Sequence, residues 1–120
     1  MNEDERSVST QLVLVRHGEG SANVDGVIAG LSGCQGLTEL GRRQVEALSA
    51  RWGHERFRPD VLVSSPVRRA RETAELLAAS MTEMTVMEDC ALREMHNGAA
   101  DGLTWTEYDS RFGRFDTSLE

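Results

Sequence analysis

The chain has 120 residues, with 20 Asp and Glu against 13 basic residues and a formal net charge of −7 at pH 7. That length fits one small domain rather than two, and the acidic balance argues against non-specific nucleic-acid binding, which needs a basic face to neutralise phosphates. Every one of the 13 basic residues is arginine, so an anionic ligand has to be held by a local cluster of guanidinium groups.

The start, Met1-Asn2-Glu3-Asp4-Glu5-Arg6, has neither the basic opening nor the apolar core of a signal peptide, and no apolar run approaches membrane-spanning length. The expectation is a cytoplasmic, soluble protein without membrane contacts, residues 1–10 forming a disordered tail and residues 11–120 the folded unit. Cys34 and Cys90 are too few and too far apart in sequence for a metal framework, and are expected as reduced thiols.

Leu12-Val13-Leu14-Val15 is a run of four branched apolar residues, which suits a central parallel strand covered on both faces. Arg16 and His17 then fall at its carboxyl end, where open α/β sheets bind ligands. From Gly18 to Gly36 six glycines stand among small and polar residues, a loop of the length that usually carries function. For Gly26 to Gly33 a merely flexible connector is an equal alternative. Thr38 caps a helix expected to run to about Trp52, with Leu37, Gly41, Val45, Leu48 and Trp52 near helical spacing.

Asp60-Val61-Leu62-Val63-Ser64 is a second short strand, and Ser65-Pro66 has the form of a helix start, a hydroxyl cap followed by proline. Val67, Ala70, Ala74, Leu77, Ala78 and Met81 give that helix one apolar face. Thr85-Val86-Met87 is a third strand. Thr104-Trp105-Thr106-Glu107 has the spacing of a capping box, predicting a helix from Trp105 to about Phe112, stopped by Gly113. The alternation of strand and helix is an α/β pattern with a parallel sheet.

Arg68, Arg69 and Arg71 crowd the first turns of the second helix, where the macrodipole disfavours cations. A bound anion would compensate at least one; Arg69 is the candidate, and Arg71 and Arg68 fit a solvated face. A neutral imidazole such as His17 attacks phosphorus well and releases the group to water, splitting one hard displacement into two easier ones. In-line transfer also needs guanidinium donors on the equatorial oxygens and an acid for the leaving oxygen. Glu94, in Leu92-Arg93-Glu94-Met95-His96-Asn97-Gly98, stands in a suitable loop for that acid, against the plain alternative of a surface carboxylate.

Arg16-His17-Gly18-Glu19 with Asn23, Ser64-Ser65-Pro66-Val67-Arg68-Arg69-Ala70 with Thr73-Ala74, and Leu92-Arg93-Glu94 followed by Gly98 and Gly102-Leu103-Thr104 together resemble the histidine phosphatase superfamily, the clan that includes phosphoglycerate mutases. Gly36-Leu37-Thr38-Glu39-Leu40-Gly41 is similar to the opening of that family's first helix. The resemblance implies a three-layer α/β/α fold with a mostly parallel sheet. It further implies His17 as the phosphorylated residue, Arg16, Asn23 and Arg69 as phosphate ligands and Glu94 as proton donor, with no metal or other cofactor. The implied substrate is a small-molecule phosphomonoester or a phosphoprotein.

Cys34-Gln35-Gly36 and Glu94-Met95-His96-Asn97-Gly98 replace the segments that mutases of the clan carry, which favours hydrolysis over mutase chemistry. The family also places a second histidine, in a His-Gly pair after a later strand, beyond residue 120, and lays that strand between the first and second strands of the sheet. His54 and His96 are the other histidines of this chain, so residues 11–120 are expected to be the N-terminal part of such a domain, with residues 12–16 lacking a neighbour and hydrolytic machinery only partly present. A non-catalytic phosphate-binding module, or truncated pseudoenzyme, keeping Arg16, Asn23 and Arg69 is the alternative, and an intact mutase a third.

Overall fold

A computed structural model of the chain describes residues 9–30, 35–93 and 98–113. Its elements are α1 (Ser21–Asp25), α2 (Glu39–Glu55), β1 (Leu62–Ser64), α3 (Arg68–Ala79), β2 (Val86–Glu88) and α4 (Trp105–Phe112), with 3₁₀ turns at Cys90–Leu92 and Gly98–Ala100. The expected tail at residues 1–10 falls mostly outside the described residues.

β1 and β2 pair in parallel, Leu62 opposite Val86 and Ser64 opposite Glu88, joined through α3, which packs on them. α2 packs against α3, and between them lies the core: Val45, Trp52 and Leu77, flanked by Leu37, Leu48, Phe57, Leu62, Leu76 and Met81. Trp52 meets Phe57 edge to face at 4.8 Å between ring centroids. The helical spacing of Val45 and Trp52 on α2 and of Ala74, Leu77 and Ala78 on α3 is what brings these faces together.

Thr38 caps α2 by accepting from the Gly41 amide, and Thr104 caps α4 by accepting from Glu107, with Gly113 as its stop. Both agree with the sequence reading. The second helix departs from it, starting at Arg68 with Val67 as N-cap rather than at Ser65-Pro66. Here Ser65 Oγ accepts from the Val67 amide, so the hydroxyl closes a turn instead of capping, and buried Val67 anchors the helix start in the core. The third strand is Val86–Glu88, one residue later than read.

The largest correction concerns residues 12–15, which form no strand among the described residues. Leu12 is 80% exposed and Leu14 85%, and Val13 and Val15 are exposed as well. A strand exists only when another strand takes its amides and carbonyls, and β1 has β2 as its described partner. Among the described residues the sheet is therefore two-stranded and parallel within a mixed α/β fold, rather than the broad sheet of a three-layer sandwich.

Candidate active site

Gly18 and Glu19 press against the first turns of α2. A Cβ on Gly18 would stand 2.5 Å from the Gly41 carbonyl oxygen, and one on Gly41 would strike the Glu19 carbonyl. Two facing glycines thus let backbone touch backbone. Hydrogen bonds fasten the contact: Gly18 N–H to Thr73 Oγ1 at 3.1 Å, Glu19 N–H to Gln44 Oε1 at 2.9 Å, and Thr38 N–H to the Glu19 carbonyl at 2.9 Å. The Thr38 hydroxyl also donates to Glu19 Oε1 at 2.9 Å.

His17 is half-buried, and its Nδ1 lies 2.6 Å from the Gly18 carbonyl oxygen. A carbonyl oxygen only accepts, so Nδ1 carries the hydrogen and the neutral ring keeps its lone pair on Nε2. The ring lines a cavity of about 470 Å³ together with Arg16, Asn23, Gln44 and Thr73. Arg16 is exposed and makes no hydrogen bond or ion pair among the described residues. A guanidinium without a partner among the described residues, beside an imidazole with an available lone pair, is an arrangement suited to an anionic electrophile.

The sequence pattern of the histidine phosphatase superfamily (branch 1) matches residues 12–118. The chain belongs to this superfamily. A metal-independent phosphoserine phosphatase of Arabidopsis thaliana is 40% identical over 98 residues, 82% of this chain and 40% of that protein. A 2,3-bisphosphoglycerate-dependent phosphoglycerate mutase of Thermoplasma acidophilum is 36% identical over 98 residues, 80% of this chain and 46% of that one. Among solved structures, mycobacterial glucosyl-3-phosphoglycerate phosphatase in complex with VO3 superposes with a TM-score of 0.63 at 37% identity, covering 78% of this chain and 45% of that chain. The chain thus spans less than half the length of these relatives.

Within this superfamily member the glycine-rich loop is held by hydrogen bonds at its described residues, 18–30 and 35–36. Gly20 opens α1, its amide donating to Asn23 Oδ1 at 3.0 Å, which seats Asn23 at the cavity rim. Gly26, at φ 67°, ends that helix in the left-handed conformation glycine adopts without strain. The chain then lies along the segment before α4: Ile28 N–H donates to Leu103 O and Gly102 N–H to Ile28 O, each at 2.7 Å, and Gly30 N–H donates to Asp101 Oδ1. On the other side Gly20 bridges Leu37, and Ser21 N–H donates to the Gly36 carbonyl at 3.0 Å.

Of the residues expected to bind phosphate, Arg16 and Asn23 share the cavity with His17. Arg69 reaches the same loop from α3, its Cδ 3.5 Å from where a Gly20 Cβ would stand, but its NH1 donates to the Ala29 carbonyl at 2.7 Å. Part of the compensation assigned to an anion is thus supplied by a carbonyl. Arg68 pairs with Glu72 at 2.8 Å, and Arg71 with Glu75 and Glu88, in keeping with a solvated face. Glu94, with Cys34 and His96, lies outside the described residues. Cys90 is a free, exposed thiol, and His54 sits exposed in the last turn of α2.

Three further residues, none singled out individually for a role by the sequence, hold the site: Thr73, Gln44 and Glu72. Thr73 is a buried hydroxyl on the apolar face of α3, and a polar residue on such a face, within the motif that ends Thr73-Ala74, is the sequence signal that could have marked it. The largely buried Glu72 carboxylate accepts from the Leu37 amide at 3.0 Å and pairs with Arg68 and Arg42. Desolvation raises its pKa, but the Leu37 hydrogen bond and the two guanidinium groups outweigh that, holding it below the ordinary value of 4.5.

Proposed function

We propose that this chain carries the nucleophilic and phosphate-binding part of a phosphatase that hydrolyses phosphomonoesters through a phosphohistidine at His17. The observation that carries the reading is the His17 Nδ1 contact to the Gly18 carbonyl in a cavity that Arg16 also lines. It leaves Nε2 as the nucleophilic nitrogen at the cavity. As the Nε2–P bond forms, the P–O ester bond breaks, and the leaving alkoxide takes a proton from an acid, the role proposed for Glu94. Water then attacks phosphorus and frees the imidazole and inorganic phosphate. Arg16, Arg69 and the Asn23 amide would hold the equatorial oxygens, whose charge grows in the transition state.

Hydrolysis is preferred to mutase chemistry because Cys34-Gln35-Gly36 and Glu94-Met95-His96-Asn97-Gly98 replace the mutase segments. The relatives named above as phosphatases support the phosphomonoester class. Binding without turnover is the second reading, since Arg16 and Asn23 line the cavity whether or not His17 reacts.

Brief exposure of the chain to p-nitrophenyl phosphate, an alkaline quench and mass spectrometry should locate phosphate on His17, and His17→Ala should abolish it. Vanadate binding that needs Arg16 without any phosphohistidine would establish the binding module instead. Efficient conversion of 3-phosphoglycerate to 2-phosphoglycerate, primed by 2,3-bisphosphoglycerate, would overturn the hydrolytic assignment.

A further inference from the structure

The two peptide units flanking Gly18 are both held from outside the loop. The unit joining His17 to Gly18 donates its N–H to Thr73 Oγ1 at 3.1 Å, and that hydroxyl passes its own hydrogen to the Arg69 carbonyl at 2.8 Å. The unit joining Gly18 to Glu19 donates its N–H to Gln44 Oε1 at 2.9 Å. The carbonyl of this second unit is the acceptor of His17 Nδ1–H. A peptide unit is planar, so fixing its N–H direction fixes its carbonyl direction.

We infer that Thr73 and Gln44 are positioning residues that clamp the Gly18 peptides so that the imidazole of His17 keeps its hydrogen on Nδ1 and its lone pair on Nε2. The inference rests on the reading of His17 as nucleophile, and it assigns work to two side chains outside the reacting set. Both line the cavity that holds the ring, one from α3 and one from α2. The Gly18–Gly41 contact prevents the loop from relaxing toward α2, so a lost clamp bond leaves a freed peptide to rotate instead. Rotation of the second unit withdraws the acceptor, and rotation of the first turns Gly18 and carries the second unit with it; the ring is then free to place its hydrogen on Nε2, where it blocks attack. Thr73 also donates to the Arg69 carbonyl one turn back on α3, which fixes the direction of its hydroxyl.

The test is nitrogen-15 NMR of the histidine rings at about pH 8, where imidazole is neutral, with the His17 signal assigned by His17→Gln. The intact chain should show the Nδ1–H form. Thr73→Val, which keeps shape but not the hydroxyl, and Gln44→Leu should each populate the Nε2–H form, and Thr73→Ser should restore the original pattern. Phosphorylation of His17 by p-nitrophenyl phosphate should slow about tenfold in Thr73→Val and Gln44→Leu, the scale for losing one net hydrogen bond, and recover in Thr73→Ser.

Folding of each variant is followed separately by denaturant unfolding; should Thr73→Val fail to fold, the exposed Gln44→Leu carries the measurement. An unchanged tautomer in the folded variants overturns the clamp. A tautomer change with no phosphohistidine in the intact chain supports the clamp and refutes the phosphatase reading, so the two fail separately.

Discussion

Glu72 offers the sharpest test of how α3 holds the loops of the site. Its side chain is 14% exposed, accepts the Leu37 amide, and pairs with half-exposed Arg68 at 2.8 Å and with Arg42 at 3.7 Å. Removing it by Glu72→Ala strands a partly buried amide, worth about 1.5–3 kcal/mol for a bond to a charged group, and deletes an i,i+4 pair worth about 0.3–0.5 kcal/mol. The total is about 2–3.5 kcal/mol, a large share of the stability of a small domain. Glu72→Gln keeps an acceptor but no charge, and should cost about 1–2 kcal/mol.

The sign of the pH effect follows from the same contacts. The folded-state pKa of Glu72 is lowered, so its stabilisation is fully present above the unfolded-state value and is lost as pH falls through the folded value. Urea unfolding from pH 7 down to about 3 should show an acid limb that is shallower in Glu72→Gln. Amide exchange should show Leu37 less protected, with Ser21 following because its amide bonds the adjacent Gly36 carbonyl. A variant with unchanged stability at pH 7, an unchanged acid limb and an unchanged Leu37 exchange rate would refute the reasoning.

Two glycines of α2 should respond in opposite directions to alanine. Gly41→Ala drives a methyl group into the Glu19 backbone and should cost about 1–3 kcal/mol, with loss of vanadate binding measured by calorimetry. Gly53→Ala meets nothing within 4 Å and should stabilise by about 1 kcal/mol, read from the same unfolding curves. The exposed residues 12–15 should drive self-association through unpaired backbone, so Leu12→Lys with Leu14→Lys should shift analytical ultracentrifugation profiles toward monomer; an unchanged distribution argues against edge pairing. Glu94→Gln should slow alkyl phosphates far more than aryl phosphates, whose leaving groups need less protonation, and equal losses would remove the acid role.

What the sequence determined by itself was local. Thr38 before an apolar period, and Thr104 followed by Glu107 and closed by Gly113, place two helices correctly because caps and periodicity act within one or two turns. Arg16 and His17, adjacent in the sequence, also line one cavity. Tertiary structure decided whatever needs a distant partner. The apolar run at residues 12–15 has strand composition, but a strand is a property of a pair, and these residues stay exposed. Arg69 turns to the Ala29 carbonyl, 40 residues away, and the Gly18 amide finds Thr73 across 55 residues. Such bonds form only after packing has closed the intervening loops, so no local pattern of residues announces them.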